Sequence, residues 1–409
     1  MKVAYYSPMP PETSGIADYS ALLLPALRER IDVEVVKHGR TKPPRDTDIS
    51  LYHVGNSPEA HGWIVDALRK RPGVVVLHEL VLHHLIAGLT IGRKDGPGYL
   101  AAMERDAGLP ARLLAHGVLE GRVPPPWETR PEDFPLAGEI LDRATGLIVH
   151  SAYVEDGARR LDYSGPLWRI PHPAWPAPAV EPAAIDGAPV VGYFGHLNAS
   201  KRIPQLLEAF TRLPDGARLV LVGPVSPRFD LDGRLEKAGL LGDPALLREE
   251  YVPEGRLWAL MAGCDVCVSL RAPTMGETSG SAMRALSLGK PLVVSDVGWF
   301  AELPDEVALK VAPTEGETVA LAAALDLLAA EPARRAAMGA AALSLARGEH
   351  SVGAVADAYA AALEEAAGAG AVRAAVAGDV ARAAGEAGID AGSPEAAELA
   401  RQLREARIG

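Results

Sequence analysis

Cysteine is almost absent from this chain, with two in 409 residues, and that excludes a disulfide framework. The pair, Cys264 and Cys267 in "CDVC", lacks the second pair a zinc site would need and reads as small hydrophobes in a buried strand. Long apolar runs are missing too: the longest, "GVVVLHELVLHHLIAGL", is broken by His and Glu and cannot span a bilayer. The opening "MKVAYYSPMPPE" has no apolar signal region, so the expected location is cytoplasmic, with peripheral contact at a membrane surface left open. Basic residues are scattered in a chain of net charge -12, which leaves no nucleic-acid footprint. The first strand-to-helix turn, "PMPPETSGIADYS", holds Gly15 alone where a dinucleotide fold would need G-x-G-x-x-G. Neither a phosphate loop nor a G-x-S-x-G elbow occurs.

What is present is alternation. Apolar, β-branched runs separated by helical patterns predict parallel sheets. They read "KVAYYSP", "DVEVV", "ISLYHVG", "GVVVLHE" and "GLIVHS", then "VVGYFG", "ARLVLVG", "CDVCVSL", "PLVVSD" and "VALKVAP". A proline-rich stretch, Pro171 to Pro189, divides the two series, and a long helical insertion from Ile86 to Glu139 interrupts the first. The expected fold is α/β, two doubly wound Rossmann-like domains facing a central cleft, with a helical C-terminal tail. The expected boundaries are 1–175 for the first domain, 176–188 for the linker, 189–350 for the second, and 351–409 for C-terminal helices crossing back to the first domain.

Ligands of such sheets bind at the carboxyl ends of the strands. His78 ends "VVVLH" there. Gly15 lets backbone approach a ligand before a helix whose N-terminus favours anions, and Asp18 and Tyr19 either face an acceptor or start that helix. Lys201 and Arg202 follow the first strand of the second domain, where they place positive charge at the ligand rim. In "GETSGSAMRALSLGKPLVVSDVGWFAELP", Glu277 can accept hydrogen bonds from sugar hydroxyls, and the amides of Thr278, Ser279, Gly280 and Ser281 can donate to phosphate. Glu302 reads equally as a ligand carboxylate or a helix-start residue.

These segments carry a resemblance. "SGIADYS", "VVVLHEL", "FGHLNASKRIPQLLEAF" and "GETSG…FAELP", in that order, make the chain similar to family 4 retaining glycosyltransferases of the GT-B fold, from Met1 to about Gly368. Within that family it looks like a bacterial subgroup that carries "GETSG" with an arginine downstream. The resemblance implies His78, Lys201 and Glu277 as catalytic groups. It implies donor binding by Gly15, His196, Lys201, Arg202, Glu277, Thr278 through Ser281, Arg284 and Glu302, and an acceptor side at Asp18 and Tyr19.

It further implies hexosyl transfer from a UDP- or GDP-sugar to an acceptor hydroxyl. The leaving diphosphate takes the acceptor proton on one face, with no cofactor and no metal. This chain departs from the family pattern twice. His196 stands where an arginine is usual, and Arg284 replaces a ribose-binding glutamate, whose grip on a diol an arginine, with no acceptor, cannot reproduce. Arg284 is then open to three roles: a pair with Glu277, a phosphate contact, or a loop brace. Those departures keep an inactive sugar-nucleotide or glycan binder as the alternative. A sugar-nucleotide epimerase has no motif to support it.

Overall fold

The computed structural model describes residues 1–12 and 14–405. The first sheet contains β1 (Lys2–Tyr6), β2 (Asp32–Val35), β3 (Ile49–Val54), β4 (Gly73–Leu77), β5 (Ala144–Val149) and β6 (Leu167–Arg169) in the order β2-β1-β3-β4-β5-β6. The second contains β7 (Val190–Phe194), β8 (Arg218–Val222), β9 (Leu246–Glu249), β10 (Val266–Ser269), β11 (Leu292–Ser295) and β12 (Ala308–Val311), ordered β12-β11-β10-β7-β8-β9. Every pairing is parallel. Parallel strands covered by helices on both faces need apolar side chains on both, and β3 and β4 are buried along their whole length.

Cys267 lies in β10 and Cys264 just before it, both buried and unbridged, as small core residues. The insertion folds into its own small core of Ile86, Tyr99, Leu100 and Met103. His83 serves that core, bonding Phe134 O at 2.8 Å and Tyr99 Oη at 2.9 Å. The long helix Val352–Glu386 returns to the first domain and packs Val355, Tyr359 and Leu363 against Leu23 and Leu27 of the helix Gly15–Arg28. The helix Pro394–Glu405 follows it without a buried residue, and residues 406–409 of the expected tail lie outside the described residues. Among the described residues no helix is long and apolar enough to cross a membrane.

The loop after β10 docks its backbone directly on the first domain. Met275 O accepts the amides of Leu80 and Val81 at 2.8 and 3.0 Å, joining the turn after β10 to the turn after β4. Gly276 beside it has φ +83°, and a Cβ there would stand 3.1 Å from the Leu80 nitrogen. Only glycine permits both the conformation and the approach.

Candidate functional site

In an open parallel sheet the ligand crevice forms where neighbouring strands send their connections to opposite faces. That point lies beside β1 and β3 in the first sheet and beside β7 and β10 in the second. The turns leaving β1, β3 and β4 face the loop leaving β10 across a cavity of about 300 Å³. Gly15, Asp18, Tyr19, His78, Glu277, Thr278, Gly280 and Arg284 line it, together with Asn56, Glu79, His172 and Trp175. A Cβ on Gly15 would meet nothing within 4 Å, so the bare backbone there opens onto the cavity without being required by packing.

The second-domain wall is built from paired charges. Arg271, immediately after β10 and 7% exposed, donates from Nε to Glu277 Oε1 at 2.9 Å. Lys201 Nζ stands 3.8 Å from the same oxygen. Met275 N and Thr274 Oγ1 donate to the other, at 2.8 and 3.3 Å. Burial by itself would raise the Glu277 carboxyl, but Arg271 and then Lys201 outweigh it and hold it below the usual carboxylate range. Lys201 is pushed down to about 7, first by burial and then by Arg271, with Glu277 and Glu79 opposing. Ser279 caps the helix Gly280–Ser287, accepting from Ala282 N at 3.3 Å, and its hydroxyl lies 3.1 Å from that of Ser281. The amides of that first turn therefore sit at the cavity edge, where an anion is favoured.

The first-domain wall is built from neutral rings. His78 Nε2 lies 3.0 Å from His53 Nδ1, and the Tyr19 ring stands edge-on to His78 at 4.8 Å. His150 and His172 complete the cluster, at 5.4 and 4.9 Å from Tyr19. Burial, followed by the neighbouring imidazoles, drives His78 well below its ordinary range. Glu79, the next residue, accepts the Asn56 amide at 2.7 Å and is raised to about 8, by burial first and by the Glu277 charge second. Among the described residues no group of three or more His, Cys, Asp or Glu side chains is arranged to hold a metal ion.

Several expected site residues are engaged elsewhere. Arg202 does not supply a second cation to the cleft: its Nε donates to the buried Glu317 at 2.8 Å. Glu302 accepts the amides of Ala152 and Tyr153 at 2.8 and 2.7 Å, capping the first-domain helix Ala152–Arg160 rather than facing the cavity. His196 is exposed and paired with Ser226 Oγ at 2.7 Å. The Tyr19 hydroxyl is taken by Tyr359 Oη at 2.7 Å, so its ring alone faces the cleft.

Arg284 does not reach Glu277, whose partner is Arg271. Its guanidinium carbon sits 3.9 Å above the Trp175 ring, with Asp18 Oδ2 3.9 Å from Nη2, Gly280 O 3.5 Å from Nη1 and, among the described residues, no partner for Nε. Arg271, Asn56 and Trp175 are site residues that motif reading missed. Arg271 and Asn56 lie just past the ends of "CVSL" and "YHVG", so the strand-end rule applied to those runs points at both.

Residues 188–331 match the family described as Glycosyl transferases group 1. No curated protein sequence matches the chain. Among solved structures, it is similar to sucrose-phosphate synthase from Thermosynechococcus elongatus, 19% identical over 87% of this chain and 96% of that one, with a TM-score of 0.61. It is also similar to HepE of Anabaena in complex with UDP and glucose, 16% identical over 89% of this chain and 100% of that one, with a TM-score of 0.60. A third likeness is to WaaG, a glycosyltransferase involved in lipopolysaccharide biosynthesis, at 13% identity, 88% and 98% coverage and a TM-score of 0.51. The fold shared with these structures is GT-B.

Proposed function

We propose that this chain transfers a hexosyl unit from a nucleoside-diphosphate sugar, with a UDP- or GDP-linked donor, to an acceptor hydroxyl, keeping the anomeric configuration and using no metal. The observation that carries the reading is the pairing of a charged wall and a neutral wall across one cleft, with helix amides at the edge of the charged side. Support comes from the family match over the second domain, and from HepE, whose structure holds UDP and glucose.

In this scheme the bond from the sugar's anomeric carbon to the diphosphate breaks. The acceptor oxygen then bonds that carbon from the same face and gives its proton to the departing phosphate oxygen. The protein's part is electrostatic: Lys201, Arg284 and the amides of Thr278 to Ser281 hold the negative charge that develops on the leaving group. His78 and Tyr19 form the apolar-edged floor beneath the sugar, and Glu277, held by three hydrogen bonds and the nearby Lys201 charge, orients it.

A second reading is a protein that binds a sugar nucleotide without transferring it. It is favoured by the occupied lone pairs of Glu277 and by the diversion of Arg202 to Glu317.

Calorimetric titration with UDP, GDP, ADP and dTDP tests the binding, with micromolar affinity expected for one of them, about -8 kcal/mol. Incubation with the matching glucosyl or mannosyl donor tests the chemistry. Release of free nucleotide supports transfer, whereas an intact donor after prolonged incubation favours the binder. Absence of binding by all four nucleotides defeats both readings.

A further inference from the structure

Two carboxyl groups, Glu79 from the first domain and Glu277 from the second, line the same cavity. Like charges in one poorly hydrated space do not both ionise cheaply, and environments that treat the two differently divide the roles between them. Here the environments differ sharply. Glu277 receives Arg271, Lys201, the Thr274 hydroxyl and the Met275 amide. Glu79 receives one backbone amide, that of Asn56 at 2.7 Å on Oε1.

The flanks of Glu79 are neutral. A Cβ on Gly55 would lie 2.4 Å from the Ile16 side chain, 3.1 Å from His61 Nε2 and 3.3 Å from Glu79 Oε1, so the space around Gly55 that Glu79 enters is shared by an apolar side chain and an imidazole. His61 is lowered to about 4 by burial, and His78, the residue before Glu79, is likewise held neutral. The charged groups that act on Glu79 come from across the cleft: Glu277, which disfavours its ionisation, and Lys201, which favours it. Arg271, which could neutralise it, is engaged by Glu277.

We propose that Glu79 is the proton-bearing member of this carboxyl pair, and that it donates an O–H hydrogen bond to an anionic oxygen of the diphosphate entering between the domains. The proposal rests on the sugar-nucleotide reading above. It gives the cleft a neutral donor on the first-domain wall, where the carboxylate of Asp18 already faces Arg284. No covalent step is added: the proton stays on Glu79 while the ligand is bound. Ligand binding then becomes linked to pH, because an ionised Glu79 both loses its donor and repels the phosphate.

The test is calorimetric titration with UDP, and with GDP if UDP does not bind, from pH 7 to pH 9.5 in buffers of differing ionisation enthalpy. The wild type should take up about one proton per ligand near pH 9. Uptake that Glu79→Gln retains belongs to other groups, Lys201 foremost, and serves as an internal reference. Glu79→Gln, which keeps a donor at the same place, should retain the affinity at pH 7. It should lose most of the uptake at pH 9 while keeping the uptake at pH 7. Glu79→Ala should bind about tenfold more weakly at pH 7. Melting curves of each variant show whether it is folded.

Equal uptake at pH 9 in wild type and Glu79→Gln overturns the assignment, as does wild-type binding without uptake there. If neither nucleotide binds at any pH, the titration is repeated with ADP and dTDP, and failure of all four means that the sugar-nucleotide reading fails and takes this inference with it.

Discussion

The first-domain wall of the cleft buries His53, His78, His150 and His172 around Tyr19 without a carboxylate bonded to any of their rings. The second-domain wall holds Arg271, Glu277 and Lys201 as ion pairs, while Arg202 pairs with Glu317 away from the cleft. Both walls remove ionisable groups from water, by opposite routes. The imidazoles escape the desolvation cost by shedding their protons, whereas the arginines and carboxylates cannot neutralise themselves near pH 7 and offset it by pairing. The walls should therefore fail under different insults: the first to acid, the second to removal of one partner.

The acid effect should be the largest. His61 and His150 are lowered to about 4 from an ordinary 6.5, each by burial first. A lowered folded-state pKa means that the unfolded chain binds more protons between those values. Stability is therefore full above pH 6.5 and is lost as pH falls toward 4. Each imidazole removes about 1.4 kcal/mol per pH unit across that window, near 3 kcal/mol in all. Glu79 works the other way, losing stability as pH rises from 4.5 to about 8, but it is one group against several imidazoles. Thermal melts from pH 7.5 to 4.5 should fall steeply below 6.5, and His150→Gln should flatten the slope. A flat profile would mean that these rings find solvent when protonated.

Breaking a pair on the opposite wall should come next. Glu277→Ala strands Arg271, whose side chain is 8% exposed, and loss of one partner of a buried pair costs about 3–5 kcal/mol. Adding Arg271→Met to that variant should recover most of the loss. Urea unfolding of the two single variants and the double variant closes the cycle. Additive losses would show that the two side chains do not interact.

The same contrast explains what the sequence disclosed. Ten strands were legible because apolar, β-branched runs mark strands covered on both faces. The two that were not, β6 and β9, are short edge strands, "LWR" and "LLRE", without that pattern. Gly15, His78, Glu277, Gly280 and Arg284 meet in the cavity because strand-end position is a local property that topology carries to one place. Pairing is not local. Arg202 finds Glu317 from 115 residues away, and no spacing in the chain announces that partner. Arg271 was passed over because a lone basic residue after a strand carries no motif, although its position obeys the same rule as His78.

Arg284 sharpens the comparison, since it is a second-wall cation lying on Trp175 whose nearest carboxylate, Asp18, belongs to the first domain. If it faces the ligand's charge, Arg284→Ala should weaken UDP or GDP binding about tenfold, near 1.4 kcal/mol. The melting temperature should change little, because the 3.9 Å approach to Asp18 holds the pair loosely. Unchanged affinity with a lower melting temperature would instead make Arg284 a brace between the domains.

The smallest effect belongs to Glu302, which crosses from the second domain to cap a helix of the first. Its two oxygens take the amides of Ala152 and Tyr153, while Ser151 already satisfies the Val154 amide. Glu302→Ala should cost about 1 kcal/mol, the usual worth of a cap, and shift the melt by a few degrees at most. Because the cap joins the domains, cleavage of the 171–189 segment by a protease should quicken in the variant, while UDP or GDP affinity stays within about twofold. Binding lost with the melt unchanged would reverse the assignment. Glu302 would then leave the helix amides when ligand arrives, and the carboxylate would belong to the donor site.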